Sequence, residues 1–313
     1  MSYLHLVSTR LLRAAAVALG VSFLAFVTIR MVPGDPALVL LGDNATPDQI
    51  DQLRSDLNLD KSVVGQYFDW LSAAARGDLG SSIFTRQPVA DTLRTTMPVT
   101  LWLTSCSLLV AIVLGVPLGS LGGVARTSRR RRLFGLATAS VLAVPPFLSG
   151  LVLLLVFGQH WEMFPVAGYE ARFPANLEYL VLPSVAAGVT IAMLLARILA
   201  RTVRSTIHEE HVETAVAWGL GRWTITWSNY LKPSLAPVIG LMGYVFGVNL
   251  AASVVLETVF TLPGVGTYLL RGVLARDYPV VQGTLFAFGL VVVAVHLAAD
   301  LIAGWIDPRT RTM

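Results

Sequence analysis

Six apolar runs, free or nearly free of charge, constrain this chain more than anything else in it: Ala14–Ile29, Thr95–Ala125, Leu133–Trp161, Tyr179–Ala196, Pro233–Leu256 and Pro279–Ala299. A helix rises about 1.5 Å per residue, so roughly 20 apolar residues cross the hydrocarbon layer of a bilayer. The runs lack the two-residue alternation of a membrane barrel, and a helix satisfies its own backbone polar groups in lipid. The expectation is an all-α, polytopic helical membrane protein with six transmembrane helices. The first run has only 16 residues and relies on Arg13 and Arg30 reaching the interfaces. Composition agrees: 55% of the 313 residues are hydrophobic and 13% charged, about half the charge of an ordinary soluble domain.

A single cysteine, Cys106, excludes a disulfide framework within the chain and a cysteine-rich metal site. The net charge of +4 gains meaning from its distribution. With the N-terminus placed in the cytoplasm, 14 of the 23 basic residues fall on the cytoplasmic side, in short segments around Arg10, Arg126, Arg129–Arg132, Arg197–Arg204, Lys232 and Arg309. Thirteen acids fall outside, against four inside. The positive-inside rule therefore puts both termini in the cytoplasm. The basic charge orients the protein and does not indicate nucleic acid. Residues 1–32 have a basic start and an apolar core, but no small-x-small cleavage site precedes Pro33-Gly34-Asp35-Pro36, so an uncleaved first span is expected.

Three regions follow. Residues 1–32 hold the cytoplasmic N-terminus and first span, residues 33–94 an extracytoplasmic segment, and residues 95–313 a five-helix core with a cytoplasmic loop at about 201–236. The external segment has nine Asp and no Glu, a helical stretch Thr46–Leu57 and a turn at Gly77-Asp78-Leu79-Gly80. It reads either as a polar cap over the helices or as a docking surface, with Asp48, Asp51, Asp56, Asp60 and Asp69 as candidate contacts. The cytoplasmic loop carries a short amphipathic stretch, Glu209–Trp218, ending at Gly219, a helix terminator. Such a helix lies on a membrane or presses into another protein.

Two apparent motifs fail. In His208-Glu209-Glu210-His211 the histidines are three apart, whereas a zinc-binding His-Glu-x-x-His pair needs four. Neither Lys61 nor Lys232 follows the glycine of a Walker loop, so any ATPase must be another subunit. Polar groups in the last two apolar runs or at their edges include Asn249, Glu257, His296 and Asp300, the last two spaced to share a helix face. Groups at such depth face protein or a water-filled path. A proton relay and simple interhelical pairing both account for them. Gly243 and Gly247 have the spacing of a close helix contact.

Four stretches, in order along the chain, resemble the inner-membrane permease subunits of dipeptide and oligopeptide ABC importers. They are Val32-Pro33-Gly34-Asp35-Pro36; Leu57-Asn58-Leu59-Asp60 with Gln66-Tyr67 and Gly77-Asp78-Leu79-Gly80; Glu257-Thr258-Val259-Phe260 through Pro263-Gly264-Val265-Gly266 and Ala275–Gly283; and Asp307-Pro308-Arg309. Within the loop, Glu213-Thr214-Ala215-Val216-Ala217-Trp218-Gly219 resembles the Glu-Ala-Ala-x-x-x-Gly segment of such permeases, with Thr for the first Ala. The resemblance implies a type I ABC importer permease fold in the bacterial inner membrane. It implies a coupling helix seated on an ATPase, with Glu210, Glu213, Thr214, Ala215, Ala217, Trp218, Gly219 and Leu220 as its contact residues. The implied partners are a second homologous permease subunit, two ABC ATPase subunits that bind ATP and magnesium, an extracytoplasmic substrate-binding protein and the lipid bilayer. This chain itself needs no catalytic residue, metal or cofactor. The resemblance leaves the cargo open among dipeptides, longer peptides, nickel chelates and glutathione. The alternative function is a proton-coupled secondary transporter using Glu257, His296 and Asp300. An intramembrane hydrolase is disfavoured because no spacing joins a nucleophile, a base and an orienting group.

Overall fold

The computed structural model describes residues 3–30, 46–48, 62–221 and 224–306. Ten α-helices are described in full: α1 (Tyr3–Arg30), α2 (Val63–Ala74), α3 (Val89–Gly123), α4 (Ser128–Leu142), α5 (Pro146–Leu153), α6 (Asn176–Thr206), α7 (Glu210–Ala217), α8 (Lys232–Val259), α9 (Val265–Leu274) and α10 (Tyr278–Ile306). Wider π-helical stretches extend α5 through Leu154–His160 and lead into α8 over Ile225–Leu231. Two compact units result, Met1–Met97 with Tyr268–Val293 and Pro98–Thr267 with Ala294–Met313.

The all-α, polytopic reading holds, but the count of six spans does not. Among the described residues, four helical segments are long and apolar enough to cross a bilayer: Val89–Gly123, Asn176–Thr206, Leu241–Val259 and Tyr278–Ala299. A fifth is reached if α4 and the α5 segment are taken together, yet these meet at a bend of 81°. The bend falls at Pro145-Pro146, where proline removes a backbone donor and restricts the residue before it. In α1 (Tyr3–Arg30), Leu12–Val27 is one of the shorter apolar stretches found among the described residues.

In the first unit, aromatic side chains join α1 to α2. Ser22 Oγ and Tyr67 OH are 2.8 Å apart, and the Phe26 and Tyr67 rings meet edge-on at 5.3 Å. Trp70 in turn meets Phe286 of α10 at 5.3 Å. After α2 the chain turns at Gly77 and Gly80, both at positive φ, with Asp78 Oδ1 accepting from the Gly80 N–H at 2.9 Å. Asp277 organises the start of α10. Its Oδ1 accepts from Val280 N–H at 3.4 Å as an N-cap, while its Oδ2 accepts from Ser82 Oγ at 2.6 Å and Ile83 N–H at 3.2 Å. The helix start is thereby tied to a loop almost two hundred residues earlier in the chain.

The second unit is organised by α3 and α6, and small residues set their separation. Ala111, Gly115 and Gly119 recur every four residues on α3, as Gly188, Ala192, Ala196 and Ala200 do on α6. A Cβ on Gly115 would lie 2.8 Å from the Ala192 carbonyl oxygen, and one on Gly119 2.9 Å from that of Ala196. Only hydrogen fits there, which is how lipid-embedded helices gain dispersion contacts without a solvent-driven force. Arg197 fastens α6 to α4, donating from Nε to Thr138 Oγ1 at 2.9 Å and from Nη2 to Gly135 O at 3.1 Å. Val99, Leu103, Leu180, Leu182, Leu256, Phe260 and Leu262 belong to one buried apolar cluster of the unit. The Gly243 contact is also real, for a Cβ there would come within 2.9 Å of Ala299 Cβ.

Candidate functional site

The loop segment singled out by sequence forms α7, an eight-residue helix. Glu209 precedes it in extended conformation, and Glu210 and Glu213 occupy its first turn, where carboxylates suit the positive end of the backbone dipole. Thr214 donates its hydroxyl back to Glu210 O at 2.8 Å. The helix ends in a Schellman turn. Gly219 N–H donates to Val216 O at 3.0 Å and Leu220 N–H to Ala215 O at 3.3 Å, with Gly219 at φ +71°. That φ is the reason glycine stands here, since no neighbouring atom lies within 4 Å of where a Cβ would be.

The two faces of α7 differ. Val212 and Ala215 are buried, while Glu210, Glu213, Thr214 and Ala217 are exposed. Beyond them Val216 is 59% exposed, Trp218 78% and Leu220 42%. An indole this exposed, beside two aliphatic neighbours, is an apolar patch of the kind that marks a docking surface. His211 Nδ1 lies 3.3 Å from Glu209 Oε2, an exposed pair. Among the described residues no three His, Cys, Asp or Glu side chains converge as metal ligands.

Of the polar residues within the apolar runs, Glu257 occupies the most elaborate site. Fully buried near the end of α8, its Oε1 accepts from Thr100 Oγ1 at 2.6 Å and Ser253 Oγ at 3.2 Å. Oε2 accepts from Thr267 N–H at 3.0 Å. Thr100 Oγ1 also accepts from Val265 N–H at 2.9 Å, so a single hydroxyl links α3, the carboxyl group and the start of α9. Ser253 shares its one proton between Glu257 and Leu250 O, 2.8 Å away. A Cβ on Gly264 would land on the Glu257 carboxyl, and one on Gly266 would lie 2.8 Å from Oε2 and 2.6 Å from Val254 Cα. The Glu257…Pro-Gly-Val-Gly sequence is thus one structural device: a carboxyl acceptor and the glycines that let a loop close over it. Thr100, Ser253 and Thr267 were not apparent as partners from sequence; only Ser253, one turn before Glu257, had a spacing that signals contact.

The remaining sequence candidates do not gather around Glu257. Asn249 is buried and lines a mostly apolar cavity of about 310 Å³ with Tyr244 and Thr190. His296 is exposed on α10, its Cα 3.8 Å from where a Gly243 Cβ would lie. Asp300 is helical, but its side chain, like Asp51, Asp56 and Asp60, lies outside the described residues. Asp48 and Asp69 are exposed, Asp69 on α2. A carboxyl fixed by hydroxyl and amide donors suits a structural tie; the proton-relay alternative gains no support.

Comparison with known proteins decides the family. Residues 115–312 match the model of the binding-protein-dependent transport system inner membrane component, and residues 3–104 match that of the N-terminal part of such membrane components. The chain belongs to this family. It is similar to the glutathione transport system permease protein GsiC of Escherichia coli K12, 32% identical over 308 residues that cover 98% of this chain and 99% of that one. The GsiC proteins of Shigella dysenteriae serotype 1 and Shigella flexneri serotype 5b are similar to the same extent, each 32% identical over 308 residues. The chain is accordingly a multi-pass inner-membrane permease subunit of an ABC importer. Permeases of this family are transport components rather than enzymes, and a separate subunit hydrolyses ATP.

Proposed function

We propose that this permease forms half of the translocation path of a peptide importer and that α7 is the helix through which its motor acts. The cargo named for its relatives, glutathione, is itself a small peptide, and short peptides are the substrate class of this reading. The other parts are a second homologous permease, two ABC ATPase subunits that hold ATP and magnesium, and an extracytoplasmic binding protein. The end of α3, the arginine-rich start of α4 and end of α6, together with α7 and the C-terminal end of α10, face the cytoplasm.

The observation that carries the reading is the form of α7: two buried residues hold it to the permease, a glycine turn fixes its end, and Trp218 and Val216 stand exposed. Nucleotide binding to the ATPases favours one conformation of the pair, and a rigid helix seated in each ATPase conveys that preference to the spans. Replacing Trp218 with Glu leaves the inward face of α7 intact and should abolish ATP-driven uptake while the chain still inserts and assembles with the other permease. Wild-type uptake by that variant contradicts the reading.

Residues 33–94 are read as the face met by the binding protein, with exposed Asp48 and Asp69 within it. Reversing both to Lys should weaken stimulation of the ATPase by loaded binding protein. Stimulation at the wild-type level would leave this region a structural cap.

A further inference from the structure

Beside α7 lies an open cleft of about 950 Å³, whose walls come from the end of α3, the start of α4, the end of α6 and α7 itself. Its lining has two characters. Leu121, Leu220 and Leu231 are aliphatic, whereas Arg126, Arg131 and Arg204 bring three guanidinium groups to one space. Arg204 donates from Nη2 to Gly122 O at 3.2 Å, yet its Nε is buried and has no hydrogen-bond partner. Arg131 donates from Nε to Ala125 O at 2.9 Å, a bond that leaves its terminal nitrogens for other acceptors. Among the described residues no carboxylate forms an ion pair with any of the three. Glu213, the acid on the cleft, is exposed.

Buried donors without acceptors are rare in folded proteins and call for a partner from outside the chain. Three unneutralised cations next to aliphatic walls fit an amphiphile with an anionic head. Basic pockets between spans on the cytoplasmic side are where anionic headgroups settle. We propose that this cleft holds an anionic phospholipid of the surrounding membrane, its phosphate among Arg204, Arg131 and Arg126 and its acyl chain along Leu121 and Leu231. Only the choice of the cytoplasmic leaflet as its source rests on the orientation proposed above. The lipid would lie against the side of α7, where Val212 and Val216 line the cleft, so leaflet composition becomes able to tune the coupling.

The test measures lipid retained by the full-length chain purified in neutral detergent. It is offered phosphatidylglycerol, phosphatidylcholine or inorganic phosphate, and bound molecules are read by native mass spectrometry. Phosphatidylglycerol should be retained in preference to phosphatidylcholine, and excess inorganic phosphate should displace it poorly. Each of Arg126→Gln and Arg131→Gln should weaken retention about fivefold, the worth of one arginine near a charged leaflet. Arg204→Gln should do the same, and because Arg204 also holds Gly122, the other two variants keep the test sound if it misfolds. Equal retention of the two lipids, full displacement by phosphate, or unchanged retention in the Arg126 and Arg131 variants would each overturn the proposal. Retention is read without ATP, ATPase or transport, so a failure of the coupling reading would be seen separately, as uptake that ignores α7.

Discussion

At the scale of single residues, Glu257 and the two glycines that face it are the clearest case of a sequence pattern explained by packing. The carboxyl accepts from two hydroxyls and an amide within a fully buried space. Exchanging it for Gln keeps the shape but turns an N–H toward donors, an arrangement that costs about 1–3 kcal/mol when a buried group loses its partner. Gly266→Ala should cost a similar amount by overpacking, because the new methyl meets Val254 Cα and the carboxyl at once. Thermal unfolding in detergent checks both, and in each variant the midpoint should fall. A Gly266→Ala protein as stable as the parent would contradict the packing described. Sequence identified Glu257 as a buried polar residue but left its role open, since Thr100 is 157 positions away and no spacing rule reaches that far.

Among elements, α7 and the α3–α6 contact show what can and cannot be read before folding. The amphipathic stretch Glu209–Trp218 and its glycine stop were legible because both depend on local rules, helical periodicity and the left-handed cap; the helix runs from Glu210 to Ala217. The α3–α6 seam was also written locally, as small residues every fourth position, although attention had fallen on Gly243 and Gly247 instead. Gly119→Leu should force these helices apart, because the first added carbon already lies 2.9 Å from Leu199 Cβ and from the Ala196 carbonyl. The expected result is a chain that is made but poorly inserted or rapidly degraded, seen as a loss of at least half the membrane-bound protein on immunoblots. Normal abundance and normal unfolding would show that the seam is looser than described.

For the whole molecule, hydropathy conveyed the class and missed the count. Apolar length reports that a segment prefers lipid, but it does not report an 81° bend at a proline pair. The result is a membrane chain with four apolar helices of spanning length among the described residues and one bent pair, within a family of importer subunits. Among the described residues Trp218, at the end of a short helix, is the most exposed of the large hydrophobic side chains and is absent from the hydrophobic cores described. That exposure is what the proposed coupling to a separate ATPase requires. The most direct test is peptide uptake into liposomes holding this chain and its companion permease, measured with and without the ATPase subunits and enclosed ATP, and separately under an imposed pH gradient. The account predicts uptake only when the ATPases, ATP and loaded binding protein are all present, and none under the pH gradient alone. Uptake by the permeases without the ATPases would contradict it.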